Sequence, residues 1–210
     1  MATSTAADTG PAAGDFWETV DYAAINTGFD PYDPHLDLFN PCADELLPVY
    51  EALGLGQARA YDHVIEGKPH LVMWNCLMKD PERFLSDYEI AVEPINPTLI
   101  ETRSDAFRED APESIVPGAY FTHNYVMHTE KSGQNCQINI DTARGRLAVS
   151  HGTTYQVDEL ALHCELAQQL LDSVMKDEQF LRALYGDDLP LKSAEPATRR
   201  VSQGGVSRGE

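Results

Sequence analysis

With 210 residues, a 42% hydrophobic fraction and 23% charged side chains, the chain has the makeup of one globular domain with a sizeable core. Fifteen Lys and Arg against 34 Asp and Glu give a formal net charge of -19, which disfavours phosphate-rich nucleic acid and anionic membranes as partners and favours a basic one. No apolar run approaches the roughly 20 residues that span a bilayer, so no membrane association is expected.

The acidity is concentrated early. No Lys or Arg precedes Arg59, which leaves no basic flank for a signal peptide and no Arg-rich transit segment. The sequon-like triplet Asn96-Pro97-Thr98 is blocked by its proline, and a cytoplasmic location is expected. Cys42, Cys76, Cys136 and Cys164 are widely spaced, form no C-x-x-C motif and have apolar neighbours. They read as buried thiols behaving as small hydrophobes, with neither metal nor cofactor expected.

In chain order, residues 1–14 and 191–210 are small, polar and rich in Gly and Pro, the composition of disordered termini. The tail carries RRVS, Arg199 to Ser202, which matches a site for a basic-directed kinase. Residues 15–190 form a single α+β domain. Within it, residues 29–41 make an acidic extended arm that packs Tyr32, Leu36 and Phe39 onto the body and lacks the ligand density of a calcium loop. A short helix runs from Pro48 to Gly54 or Gly56. GLGQAR is no dinucleotide fingerprint, because Arg59 stands where the third glycine belongs. Arg59 to Ile65 and His70 to Met78 read as strands, the second apolar on both faces and hence central. Asp80-Pro81 has the form of a helix start, with Phe84, Leu85 and Tyr88 on one side of the helix that follows. Residues 93–117, with four prolines, suit a loop or lid. After Gly118 come three strands and a long helix from Val157 to about Tyr185.

The two histidines of YFTHNYVMHT, His123 and His128, invite a metal reading. The strand pattern argues against it. In NCQINID, Cys136, Ile138 and Ile140 face one way and Asn135, Gln137, Asn139 and Asp141 the other. With residues 131–134 and 142–145 as turns, Ile138 would face Met127 on one side and Val149 on the other. That register sends His123 and His151 to the core face and His128 to the opposite one, since an odd separation along a pleat reverses the side.

The second face gathers Thr122, Asn124, His128, Asn135, Gln137, Asn139, Asp141, Arg146 and Ser150, with Asp141 set to pair with Arg146. Asparagine is a poor strand former, so such a run of amides suits a peptide, a sugar or a polar metabolite. Asn124, Gln137, Asn139 and Ser150 are the candidate binding residues. His128 and Ser150 would stand about 9 to 10 Å apart across two strand spacings, too far for a nucleophile and its base. His128 alone could act as a general base.

The expected architecture is therefore α+β: a mainly antiparallel sheet of about five strands, covered on one face by helices, with a long C-terminal helix as principal cover. In the order of its elements, the last third is similar to small secretion-chaperone folds. The expected function is that of an acidic, adaptor-like or chaperone-like binding protein that engages a protein partner with a basic surface through the amide-rich face. An uncovered edge strand would also permit a homodimer. The alternative is a metal-independent small-molecule enzyme of lyase, isomerase or cyclase type, with His128 as base.

Overall fold

A computed structural model describes residues 16–25, 27–33, 35–65, 68–83, 85–95, 107–123, 135–153 and 159–192, without the side chains of residues 57, 61–65, 68–72, 107 and 123. The expected disordered termini lie almost wholly outside the described residues, as do Asn124, His128 and the kinase-like site.

Seven strands form one antiparallel sheet: β1 (Gly56–Ile65), β2 (Lys68–Lys79), β3 (Ser86–Glu93), β4 (Phe107–Asp110), β5 (Tyr120–His123), β6 (Asn135–Thr142) and β7 (Gly145–Thr153). Their order across the sheet is β1-β2-β3-β7-β6-β5-β4. Two meanders thus meet where β3 pairs with β7. The expectation of about five strands falls short by β3 and β4. Residues 81–91 were expected in a helix, yet from Ser86 onward Ser86, Tyr88, Ile90 and Val92 alternate with Asp87, Glu89, Ala91 and Glu93 at the period of a strand. The helix-start signal at Asp80 closes a turn instead: its Oδ1 accepts from the backbone N–H of Glu82 at 2.8 Å and of Arg83 at 3.1 Å. Part of the expected lid, Phe107–Asp110, is the edge strand beside β5.

The β6–β7 register is the expected one, with Ile138 opposite Val149, Ile140 opposite Leu147 and the turn at 142–145. Between β5 and β6 it differs: Ile138 faces Phe121, not Met127. The slip is an even number of residues, so every side chain keeps its expected face. Residues 124–134, which connect the two strands, lie outside the described residues.

The long C-terminal helix is two helices, α2 (Leu160–Val174) and α3 (Glu178–Tyr185), after the short α1 (Leu47–Ala52). Asp177 breaks the run because its side chain accepts from Phe180 N at 2.8 Å and caps α3. His163, Ala167, Leu170, Leu171 and Val174 form the buried stripe of α2, and the helix packs on β6 and β7. Phe180, Leu181 and Leu184 of α3 join the same core, where Phe180 meets Phe39 edge to face at 5.5 Å. Leu38 and Phe39 of the acidic arm are buried, whereas Tyr32, expected to pack, is 59% exposed. Arg144 holds the arm down by an ion pair with Asp37 at 3.0 Å and reaches Ala183 O of α3 at 2.9 Å. No helix among the described residues is long and apolar enough to cross a membrane.

The cysteines are not free thiols. Cys42 is bonded to Cys76 and Cys136 to Cys164, with Cα atoms 5.0 and 4.9 Å apart, and none is left over. One bridge ties the segment before α1 to β2, and the other ties α2 to β6.

Candidate functional site

The polar face of the sheet is built by strand alternation. On β7 it shows Ala148, Ser150 and Gly152, three small residues in a column. Glu89 and Asp87 of β3 stand beside Ser150 and Gly152 on one side, and Gln137 and Asn135 of β6 on the other. Asn75 of β2, Ala91, Ala148 and Asn139 form a row across four strands. The result is a trough with a floor of small side chains, a carboxylate wall and an amide wall. Arg146 closes one end through its ion pair with Glu93.

Of the expected binding residues, Gln137, Asn139 and Ser150 come together here, with Ser150 directly opposite Gln137. Asn124 and His128 lie outside the described residues. Asp141 and Arg146 are cross-strand neighbours as expected, but the guanidinium bonds Glu93, and Asp141 accepts from the Tyr120 hydroxyl at 3.3 Å. The floor is not open to solvent: Asn139 is 0% exposed, and Thr122, Ala148 and Ser150 are buried. Asn139 Nδ2 donates to Thr122 Oγ1 at 3.0 Å, and Thr122 Oγ1 donates to Gln137 Oε1 at 3.0 Å. Among the described residues, five buried side-chain atoms on this face make no hydrogen bond; Asp87 Oδ1 is ion-paired with Lys79 at 2.6 Å, which leaves Asn75 Nδ2, Asn135 Oδ1, Asn139 Oδ1 and Arg146 Nε with no partner. Each such atom costs about 1–3 kcal/mol in the folded chain.

A second constellation escaped the sequence reading. Asp80 Oδ2 lies 3.0 Å from His151 Nε2, and His151 Nδ1 lies 2.8 Å from His163 Nδ1. Both imidazoles are 0% exposed, and the Tyr88 ring packs on His151 with centroids 4.5 Å apart. The contacts fix the tautomers. Asp80 is held as a carboxylate: burial opposes ionisation, but the Glu82 N–H, His151 and the Arg83 N–H outweigh it and lower its pKa. His151 therefore donates from Nε2 and presents a bare Nδ1. His163 must donate from Nδ1 to that atom, which leaves its own Nε2 a lone pair, and Nε2 is buried without a partner among the described residues. Burial lowers the pKa of both histidines, opposed by Asp80 at His151 and by Glu159 at His163.

His151 falls on the core face of β7, as the strand alternation predicts, whereas His163, which the expected apolar stripe of the helix did not include, falls in the buried stripe of α2. Among the described residues no cluster of three or more His, Cys, Asp or Glu could hold a metal ion. Comparison with models of known protein families, with curated protein sequences and with solved structures returns no match.

Proposed function

We propose that this is a soluble, acidic, non-catalytic binding protein, adaptor-like or chaperone-like, that encloses a basic segment of a protein partner in the trough of the polar face. The observation that carries the reading is the set of four unpartnered buried atoms, two donors and two acceptors, between a carboxylate wall and an amide wall. Peptide groups supply both kinds of partner, and Lys or Arg side chains match the carboxylates. The two disulfides weigh toward an oxidising compartment and away from the cytoplasm expected from composition. Calorimetric titration with Lys/Arg-rich and Asp/Glu-rich peptides of equal length tests the reading. Only the basic peptide should bind, and Ala148→Leu, which fills the floor, should abolish binding. Equal binding of both peptides, or none of either, ends the proposal.

The Asp80–His151–His163 relay favours the enzymatic alternative in one respect, because a carboxylate that orients an imidazole chain toward a bare lone pair is the arrangement of a general base. In that reading His163, not His128, is the base. His163→Gln would then abolish turnover while His128→Ala would not, and the reverse result would restore His128.

A further inference from the structure

Two links join the start of α2 to the same corner of the sheet. Cys136 of β6 stands directly opposite His151 of β7, so both side chains leave the sheet on the core face. Cys164 follows His163 in α2. The Cys136–Cys164 disulfide and the 2.8 Å His151–His163 contact are therefore neighbouring rungs between one cross-strand pair and two consecutive helix residues. Cys136, His151 and His163 are wholly buried, whereas Cys164 is partly exposed. Farther along α2, Ala167, Leu170, Leu171 and Val174 are buried in the core, so apolar packing holds the rest of the helix without either rung. The other disulfide has the same exposure, Cys42 partly open and Cys76 closed, but the cross-strand partners of Cys76 are Ala60 and Ile90.

We infer that the Cys136–Cys164 disulfide is a site of reversible reduction that latches the buried histidine pair: closed, it keeps the imidazoles together and sealed, and its reduction by a dithiol frees the first turn of α2 and lets the pair part and take up protons. A thiolate of the dithiol attacks Cys164, the half of the bridge that reaches solvent. The S–S bond breaks, and its electron pair goes with one proton to Cys136. The second thiol of the reductant then attacks the mixed disulfide and releases Cys164 as a thiol. The reductant leaves as its own disulfide, and the chain has gained two electrons and two protons. What remains of the two rungs is a single neutral hydrogen bond, which contributes little net stability once water competes for it. Among the described residues, His151 faces Asp80, Arg83 and the Tyr88 ring, and His163 faces Glu159 and Arg83. Burial holds both rings neutral, and entry of water removes that cause. By reciprocity, protons favour the open, reduced form. The general base of the enzymatic reading then exists only in the oxidised chain. The inference rests on the bridge and the relay and stands apart from the trough.

Amide hydrogen exchange and imidazole ¹H–¹⁵N titration of the full chain test this in three proteins: the parent, Cys136→Ala with Cys164→Ala, and Cys42→Ala with Cys76→Ala. The His163 amide donates to Glu159 O at 3.0 Å near the start of α2, and the Met175 amide donates to Leu171 O at 2.9 Å at its end. Loss of the Cys136–Cys164 bridge should speed exchange at His163 relative to Met175 by about tenfold or more. In that variant the titration midpoints of His151 and His163 should rise toward the ordinary histidine range. Loss of the Cys42–Cys76 bridge should change neither the exchange ratio nor the midpoints. A parent-like ratio and parent-like midpoints without the Cys136–Cys164 bridge overturn the inference. So does the same response in both variants, which marks general destabilisation and not a latch. If either variant does not fold, the parent reduced with dithiothreitol and reoxidised with glutathione disulfide decides. Reversible changes at His151 and His163 in a chain that stays folded uphold the inference, and unfolding or no change on reduction overturns it.

Discussion

Asp80→Asn should reverse the proton arrangement of the whole buried relay. The asparagine is pinned in one orientation, because the Glu82 and Arg83 N–H groups at 2.8 and 3.1 Å require an oxygen at the Oδ1 position. The new NH2 then takes the place of Oδ2, 3.0 Å from His151 Nε2, where it sets a donor against a donor. His151 can relieve the clash only by moving its proton to Nδ1, which obliges His163 Nδ1 to become an acceptor across their 2.8 Å contact and to carry its proton on Nε2. The buried lone pair at His163 becomes a buried unpartnered N–H. The substitution loses a charge-assisted hydrogen bond worth about 1.5–3 kcal/mol, which for a chain of this length lowers the melting temperature by roughly 2–4 °C per kcal/mol. Long-range ¹H–¹⁵N spectra of the imidazoles report the tautomers directly, and urea denaturation reports the stability. Parent spectra showing His151 protonated at Nε2 and His163 at Nδ1, inverted at both rings in the variant, are expected. Unchanged tautomers in Asp80→Asn, or a stability loss below about 0.5 kcal/mol, would refute the assigned relay.

Other consequences can be measured alongside. Because burial depresses the pKa of His151 and His163, the folded chain binds fewer protons than the unfolded one just below the ordinary histidine value of about 6.5. The stability they contribute is complete above that value and is lost as the pH falls through the window toward the lower folded-state pKa values. Urea midpoints that stay flat from about pH 8 to about pH 5 would contradict this. Replacing Cys136 and Cys164 together by Ala releases a loop of 28 residues and should cost about 3–4 kcal/mol, read from the same denaturation curves. Gly145→Ala should cost more than about 1 kcal/mol, since φ is +105° and the added Cβ would lie 2.6 Å from Leu38 Cδ2 and 3.1 Å from Glu93 O. A neutral effect on the melting curve would show that the β6–β7 turn adjusts freely.

What could be read from the chain follows the range of the interactions concerned. The β6–β7 hairpin was legible because clean alternation and a short turn fix its register locally. β3 was hidden because Asp80-Pro81 carries a strong local cap signal whose hydrogen bonds serve a turn, and three apolar residues near it mimic a helical stripe. The break at Asp177 was readable in principle as an aspartate cap within the long apolar pattern. The disulfides were not, because pairing depends on Cα atoms brought within 5.0 Å from positions 34 and 28 residues apart. For the site, polarity was legible and burial was not. Alternation placed Gln137, Asn139 and Ser150 on one face, but sequence could not show that Asn139 is wholly enclosed with a bare oxygen. The relay joins a turn, a strand and a helix, and no spacing announces it.

The meeting of the two meanders at β3 and β7 also sets an order of assembly. Within each meander neighbouring strands follow one another in the chain, so each closes short loops at small entropic cost. The junction is different: Ser86 must find Thr153 and Glu93 must find Arg146 across the whole length of the second meander. Such pairings carry the largest sequence separation in the sheet and are slow to form. Pairing of β3 with β7 is therefore the expected late step in assembling the sheet. Asp80 and His151 lie on opposite sides of that junction, so the hydrogen bond between them forms only when β3 and β7 have paired in register.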